Sequence, residues 1–204
     1  MKAWQCTVCN YIHKEDTPPE KCPVCGVGRD KFVEIEIDEE PAPPPPPRST
    51  PKEAPPLEAR GPYERLTQLL IRHHAHPVLV HTPNGLLPVS LFLFILAWLF
   101  GSATLATAGM INLIFVVLSL PLVIYTGLLQ WDKKYMKADS LPFKIKILAA
   151  ALTSAASLIS LIWLALDSHV LFGPRAWAFM LINLTMVGAA GVAGHIGGKL
   201  VFKD

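Results

Sequence analysis

Four stretches free of Asp, Glu, Lys and Arg occupy most of the second half of this 204-residue chain, near Val78–Phe100, Thr104–Gln130, Ile147–Leu166 and Ala176–Gly198. Each has the ~20 residues that a helix needs to cross a bilayer. Lipid offers no hydrogen-bond partners, so every backbone group there must be satisfied within its own helix, and the expected body is an all-α four-helix transmembrane bundle over residues 77–204. Pro83, Pro88 and Pro121 are expected to kink these helices rather than end them. Half of the residues are apolar and only 17% are charged, against roughly 25% in an average soluble protein, which argues against an ordinary cytosolic enzyme.

The rest of the chain is unlike the body. Residues 1–40 carry five basic and nine acidic groups and all four cysteines, whereas residues 57–204 carry eleven basic and six acidic groups. Nine of the 19 prolines fall between Pro41 and Pro56. Prolines cannot donate helix hydrogen bonds and favour the extended polyproline II conformation, so residues 41–57 read as a linker. At about 3.1 Å per residue it would reach on the order of 50 Å, and the head is expected to be tethered rather than packed. Between linker and body, residues 58–76 read as an amphipathic interfacial segment. Tyr63, Leu66, Leu69, Leu70 and His73 recur there at helical spacing.

The cysteines form two C-x2-C pairs, Cys6/Cys9 and Cys22/Cys25, with twelve residues between the pairs. Each pair can fold into a knuckle that presents two thiolates to one ion, and four thiolates select iron or zinc. So short a segment cannot build a stabilising core, so a metal is expected to supply most of its folding free energy. The start, Met1-Lys2-Ala3-Trp4-Gln5, lacks the apolar core of a cleavable signal peptide. The head is therefore expected to stay in a reducing compartment, where paired cysteines bind metal more often than they form disulfides.

Orientation follows from the lysines and arginines. Arg60, Arg65 and Arg72, then Lys133, Lys134, Lys137, Lys144 and Lys146, then Lys199 and Lys203 fall on one side, and Arg175 alone falls in the loops of the other. The expectation is a bacterial inner-membrane protein with both termini cytoplasmic, its acidic head facing a basic rim to which it docks weakly by charge. Four histidines cluster at the start of the first span and His195 lies near the end of the fourth. An even number of crossings returns those ends to the same face. An imidazole in a membrane bundle is a functional candidate by default. His81 and His195 are therefore candidate axial ligands of a b-type haem, with His76 and His73 as alternates. Gly188, Gly191 and Gly198 share the helix face of His195 and leave room for a flat macrocycle; the alternative is that they only let helices pack closely. No nucleotide fingerprint, nucleophile elbow or nucleic-acid motif is present.

Two resemblances add to this reading. Trp4-Gln5-Cys6-Thr7-Val8-Cys9-Asn10-Tyr11, then Pro18-Pro19-Glu20-Lys21-Cys22-Pro23-Val24-Cys25-Gly26 and Phe32, resemble a rubredoxin, and the short inter-knuckle segment resembles the rubredoxin module of rubrerythrins. The resemblance implies a short-stranded, loop-rich knuckle fold in which Cys6, Cys9, Cys22 and Cys25 hold one redox-active iron, with zinc as the alternative. Asn10 stands where that family usually has glycine; asparagine also tolerates the left-handed backbone of such a turn. His76-Pro77-Val78-Leu79-Val80-His81-Thr82-Pro83, Gly127-Leu128-Leu129-Gln130-Trp131 and Gly194-His195-Ile196-Gly197-Gly198-Lys199-Leu200-Val201 resemble an uncharacterised bacterial four-helix membrane protein family, which implies architecture rather than activity. Together these readings imply a membrane-anchored electron carrier, exchanging electrons with a soluble reductase or a membrane redox complex, with the haem, and with quinone. The alternatives are a bare membrane anchor for a rubredoxin and a zinc-stabilised adaptor.

Overall fold

The structure is a computed structural model and describes residues 2–36 and 61–202. The proline-rich linker falls outside the described residues. The head is a three-stranded antiparallel sheet in the order β2-β1-β3, with β1 at Lys2–Cys6, β2 at Ile12–His13 and β3 at Phe32–Glu36. Trp4 pairs with His13 on one side of β1, and Cys6 pairs with Phe32 on the other. So few strands hold little apolar surface between them, and the buried centre of the head is built around its four cysteines.

The body begins with α1 (Pro62–Arg72), whose Tyr63, Leu66 and Leu69 are exposed. An apolar face left uncovered by protein suits a helix lying in a membrane interface. His74 at φ 51 breaks the chain direction before α2 (Ala75–Leu79). Four long helices follow: α3 (His81–Phe100), α4 (Ala103–Tyr135), α5 (Leu141–Leu166) and α6 (Ala176–Phe202). Pro88 and Pro121 lie inside α3 and α4, which continue through them. All four are long and apolar enough to cross a membrane, the first counted from Ala75.

The helices pack in sequence order as an antiparallel bundle, with α6 returning against α3. Its core is centred on Leu87, Phe94, Leu113, Val116, Phe179 and Met186. Phe94 meets Phe179 edge-on with ring centroids 5.2 Å apart, and its ring fills the space beside Gly109, where a Cβ would stand 2.5 Å from the ring. In the core, the Ser157 hydroxyl donates to the Thr153 carbonyl, and the Asn183 amide nitrogen donates to Ser160 Oγ and the Phe179 carbonyl. The outside is apolar as well, with Leu118, Leu148 and Leu166 exposed, and Trp98, Phe100 and Trp177 exposed toward the end away from the head. An apolar exterior with aromatic residues near its edge is the pattern of a lipid-facing surface.

At the head end the helices outrun the apolar stretches. α4 stays helical past Gln130 to Tyr135, and α5 starts at Leu141 rather than Ile147. At 1.5 Å per residue these extensions add about 7–9 Å of helix. Between them Met136 at φ 50 and Lys137 at φ 53 reverse the chain, and Trp131 Nε1 donates to the Ala138 carbonyl across the turn at 3.1 Å. The result is a helical platform beyond the apolar stretches.

Candidate metal centre

The two knuckles are built alike. In the first, Asn10 N–H donates to the Cys6 carbonyl and Cys6 N–H to that of Tyr11; in the second, Gly26 N–H donates to Cys22 and Cys22 N–H to Val27, all at 2.8 Å. The residue after each second cysteine takes the left-handed conformation, Asn10 at φ 59 and Gly26 at φ 72. Asparagine and glycine are the residues that adopt it at least cost. The expected turn at Asn10 is therefore present.

These turns bring together Cys6, Cys9, Cys22 and Cys25, all buried, with their sulfurs within 4.8 Å of one another. Cys6 and Cys25 Sγ stand 3.7 Å apart, and Cys9 and Cys22 Sγ 3.6 Å. A tetrahedral ion with bonds of about 2.3 Å to sulfur requires sulfur pairs roughly 3.8 Å apart, and a disulfide requires about 2.0 Å. The donor set therefore fits one tetrahedral iron or zinc ion. Burial pushes the Cys9 thiol up to about 12 and the Cys25 thiol up further. Burial acts on Cys22 in the same sense but is outweighed by hydrogen bonding from the Cys25 and Val24 backbone, and its net shift is downward. A cage of this kind keeps protons until a cation replaces them.

The head is packed against the body, which corrects the expectation of a loose tether. Val8 and Val24, each between the cysteines of a knuckle, share one buried cluster with the cysteines and with Tyr135, Phe143 and Leu200 from the ends of α4, α5 and α6. The Ser140 hydroxyl, just before α5, donates to the Cys25 carbonyl. Gly26 abuts Pro142, whose Cδ lies 3.0 Å from where a Cβ on the glycine would stand. The contact is apolar at its centre. The basic rim is engaged locally, Lys144 with Asp139 at 3.1 Å and Lys133 and Lys137 with Asp132 at 3.3 Å. Charge counting favoured a weak electrostatic encounter, whereas the burial of Phe143 and Leu200 makes it a hydrophobic one.

The histidines lie apart from the cage. His81 and His195 are both exposed, and His81 Nδ1 is 2.7 Å from the Pro77 carbonyl of its own turn. Asn84, one turn beyond His81, has its amide nitrogen 3.3 Å from where a Cβ on Gly194 would stand, so the turns carrying the two histidines are neighbours. His73 is exposed. His76 is half-buried, but against α4: Nδ1 lies 3.2 Å from the Val123 carbonyl and 3.4 Å from Thr126 Oγ, and the ring covers Gly127. Lys146 is half-buried with Nζ against Gly197. Sequence reasoning placed it on the basic rim; its position one turn after Phe143 is what draws it inward.

The family model for the rubrerythrin rubredoxin-like domain matches residues 4–33. Reverse rubrerythrin-1 of Clostridium acetobutylicum is 55% identical over 40 residues, which is 20% of this chain and 22% of that protein. The chain thus shares about a fifth of its length with this relative, and the likeness stops at the head. No solved structure matches. The N-terminal residues form a rubredoxin-like metal-binding domain, and the remainder is a helical region with four candidate membrane-spanning helices.

Proposed function

We propose that this protein is a membrane-held one-electron carrier whose rubredoxin-type cage binds iron. The single observation that carries the reading is the closed set of four buried thiols at tetrahedral spacing, on a segment similar to a rubredoxin-like domain. Iron bound there supplies a one-electron change of valence. The chain's own part is to hold the four ligands fixed by paired backbone hydrogen bonds and to exclude water with Val8, Val24, Tyr135 and Phe143. With all four positions taken by sulfur no site is left for substrate, which favours electron transfer over chemistry on a bound molecule. The concentration of lysine and arginine on the head side supports a cytoplasmic head in a bacterial inner membrane. The exchange partners we propose are a soluble reductase or a membrane redox complex, and quinone in the bilayer.

A b-type haem on His81 and His195 is a second reading. It is favoured by Gly188, Gly191 and Gly198, beside which nothing lies within 4 Å, and by the adjacency of the turns that carry the two histidines. Both rings are exposed, so a haem there would need a further cover. Without it the body is an anchor that holds the iron domain at the membrane. Metal analysis of chain purified at native expression levels tests the main reading: about one iron per chain is expected, and zinc without iron would leave the adaptor alternative.

A further inference from the structure

The second knuckle is the part of the cage that meets the body. A Cβ on its turn residue Gly26 would stand 3.0 Å from Pro142 Cδ, closer than an ordinary contact. The carbonyl of the ligand Cys25 accepts the Ser140 hydroxyl. Tyr135 closes the same side. It belongs to the cluster that buries the cysteines, lies within electrostatic reach of Cys9 and Cys25, and is braced by Phe143 at 5.2 Å between ring centroids and by the Leu200 carbonyl 3.5 Å from its hydroxyl. The groups that meet the knuckle thus come from the end of α4, the turn that follows it and the first turn of α5.

We propose that Ser140 and Tyr135 are positioning residues of the metal site, so that docking of the head on the bundle tightens the hold of the four cysteines on their ion. Neither residue is a ligand. Ser140 holds the Cys25 carbonyl and thereby the sulfur that follows from the same residue's backbone position, and Tyr135 keeps water from Cys9 and Cys25. The relation is reciprocal: whatever factor docking adds to metal retention, metal must add to docking. The inference needs the four cysteines to hold an ion but not that the ion be redox-active. A zinc-only protein would therefore remove the electron-carrier reading and leave this one intact.

The test uses the full chain in detergent micelles, loaded with Co(II) as a coloured thiolate probe, with transfer to a chelator followed by absorbance. Ser140→Ala should release the ion about three- to tenfold faster, the worth of one ordinary hydrogen bond, and shift the thiolate charge-transfer band. Ser140→Thr should restore both. Tyr135→Leu should also accelerate release, while Tyr135→Phe, which keeps the ring, should not. Ser154→Ala is the control, because that hydroxyl donates within α5 to the Ala150 carbonyl. A measurement without mutation runs the linkage backwards: stripping metal from the wild-type chain should speed amide exchange over residues 135–143 and leave residues 103–120 unchanged. Wild-type release from both Ser140→Ala and Tyr135→Leu, or exchange at 135–143 indifferent to metal, would overturn the proposal.

Discussion

Phe143→Ala tests the docking of the head most sharply, because it leaves every cysteine untouched. Phe143 is the third residue of α5 and only 4% exposed, buried in the cluster that joins the head's cysteines to Tyr135 and Leu200. A buried phenylalanine removes roughly 150–250 Å² from water. If about half of that lies against the head, the loss is ~100 Å², or about 2.5 kcal/mol at 25 cal/mol per Å², which is close to a 70-fold shift in the docking equilibrium. Hydrogen exchange of the metal-loaded chain reads this directly. Amides of residues 22–28 should exchange tens of times faster in the variant, while circular dichroism of the helices stays the same. Unchanged exchange at the second knuckle, in a variant shown to be helical, would refute the idea that Phe143 holds the head in place.

Further outcomes follow from the same structure. Acid should strip the metal, because burial favours the protonated thiol at Cys9 and Cys25 and the ion needs thiolates, so occupancy falls as pH falls; a chelator-coupled pH titration measures it. Gly109→Val should destabilise the bundle by about 1–3 kcal/mol through overpacking, since its first added carbon already meets the Phe94 ring at 2.5 Å; thermal unfolding in detergent reports the loss. Replacing His81 and His195 together with alanine should abolish any Soret absorbance if haem binds there, and an unchanged spectrum after growth with ample haem would leave the body as an anchor.

Much of this molecule is legible in local sequence. The two C-x2-C pairs announce the cage because a knuckle is a contact between near neighbours, and the turn at Asn10 follows from asparagine's tolerance of positive φ. The four helices are written in runs of apolar residues. The docking is another matter. Cys25 and Ser140 are 115 positions apart, and Tyr135, Phe143 and Leu200 fall in sequence just outside the apolar stretches that stop at Gln130, start at Ile147 and stop at Gly198. Nothing in their spacing says that α4 and α5 continue past the apolar runs to form a platform. The long proline tract pointed the other way, toward reach instead of contact. The histidines show the same limit: helical arithmetic places His81 and His195 at one depth, but not which side of each helix they take, and both take the outside.

The central claim is that the docked cage changes valence. An optical redox titration of the full chain in lipid nanodiscs, after purification with its native metal, measures this. The account predicts ferric-thiolate absorbance that bleaches and returns as a single one-electron wave, lost in Cys9→Ser. A fully loaded, colourless protein with no wave at any potential would contradict it.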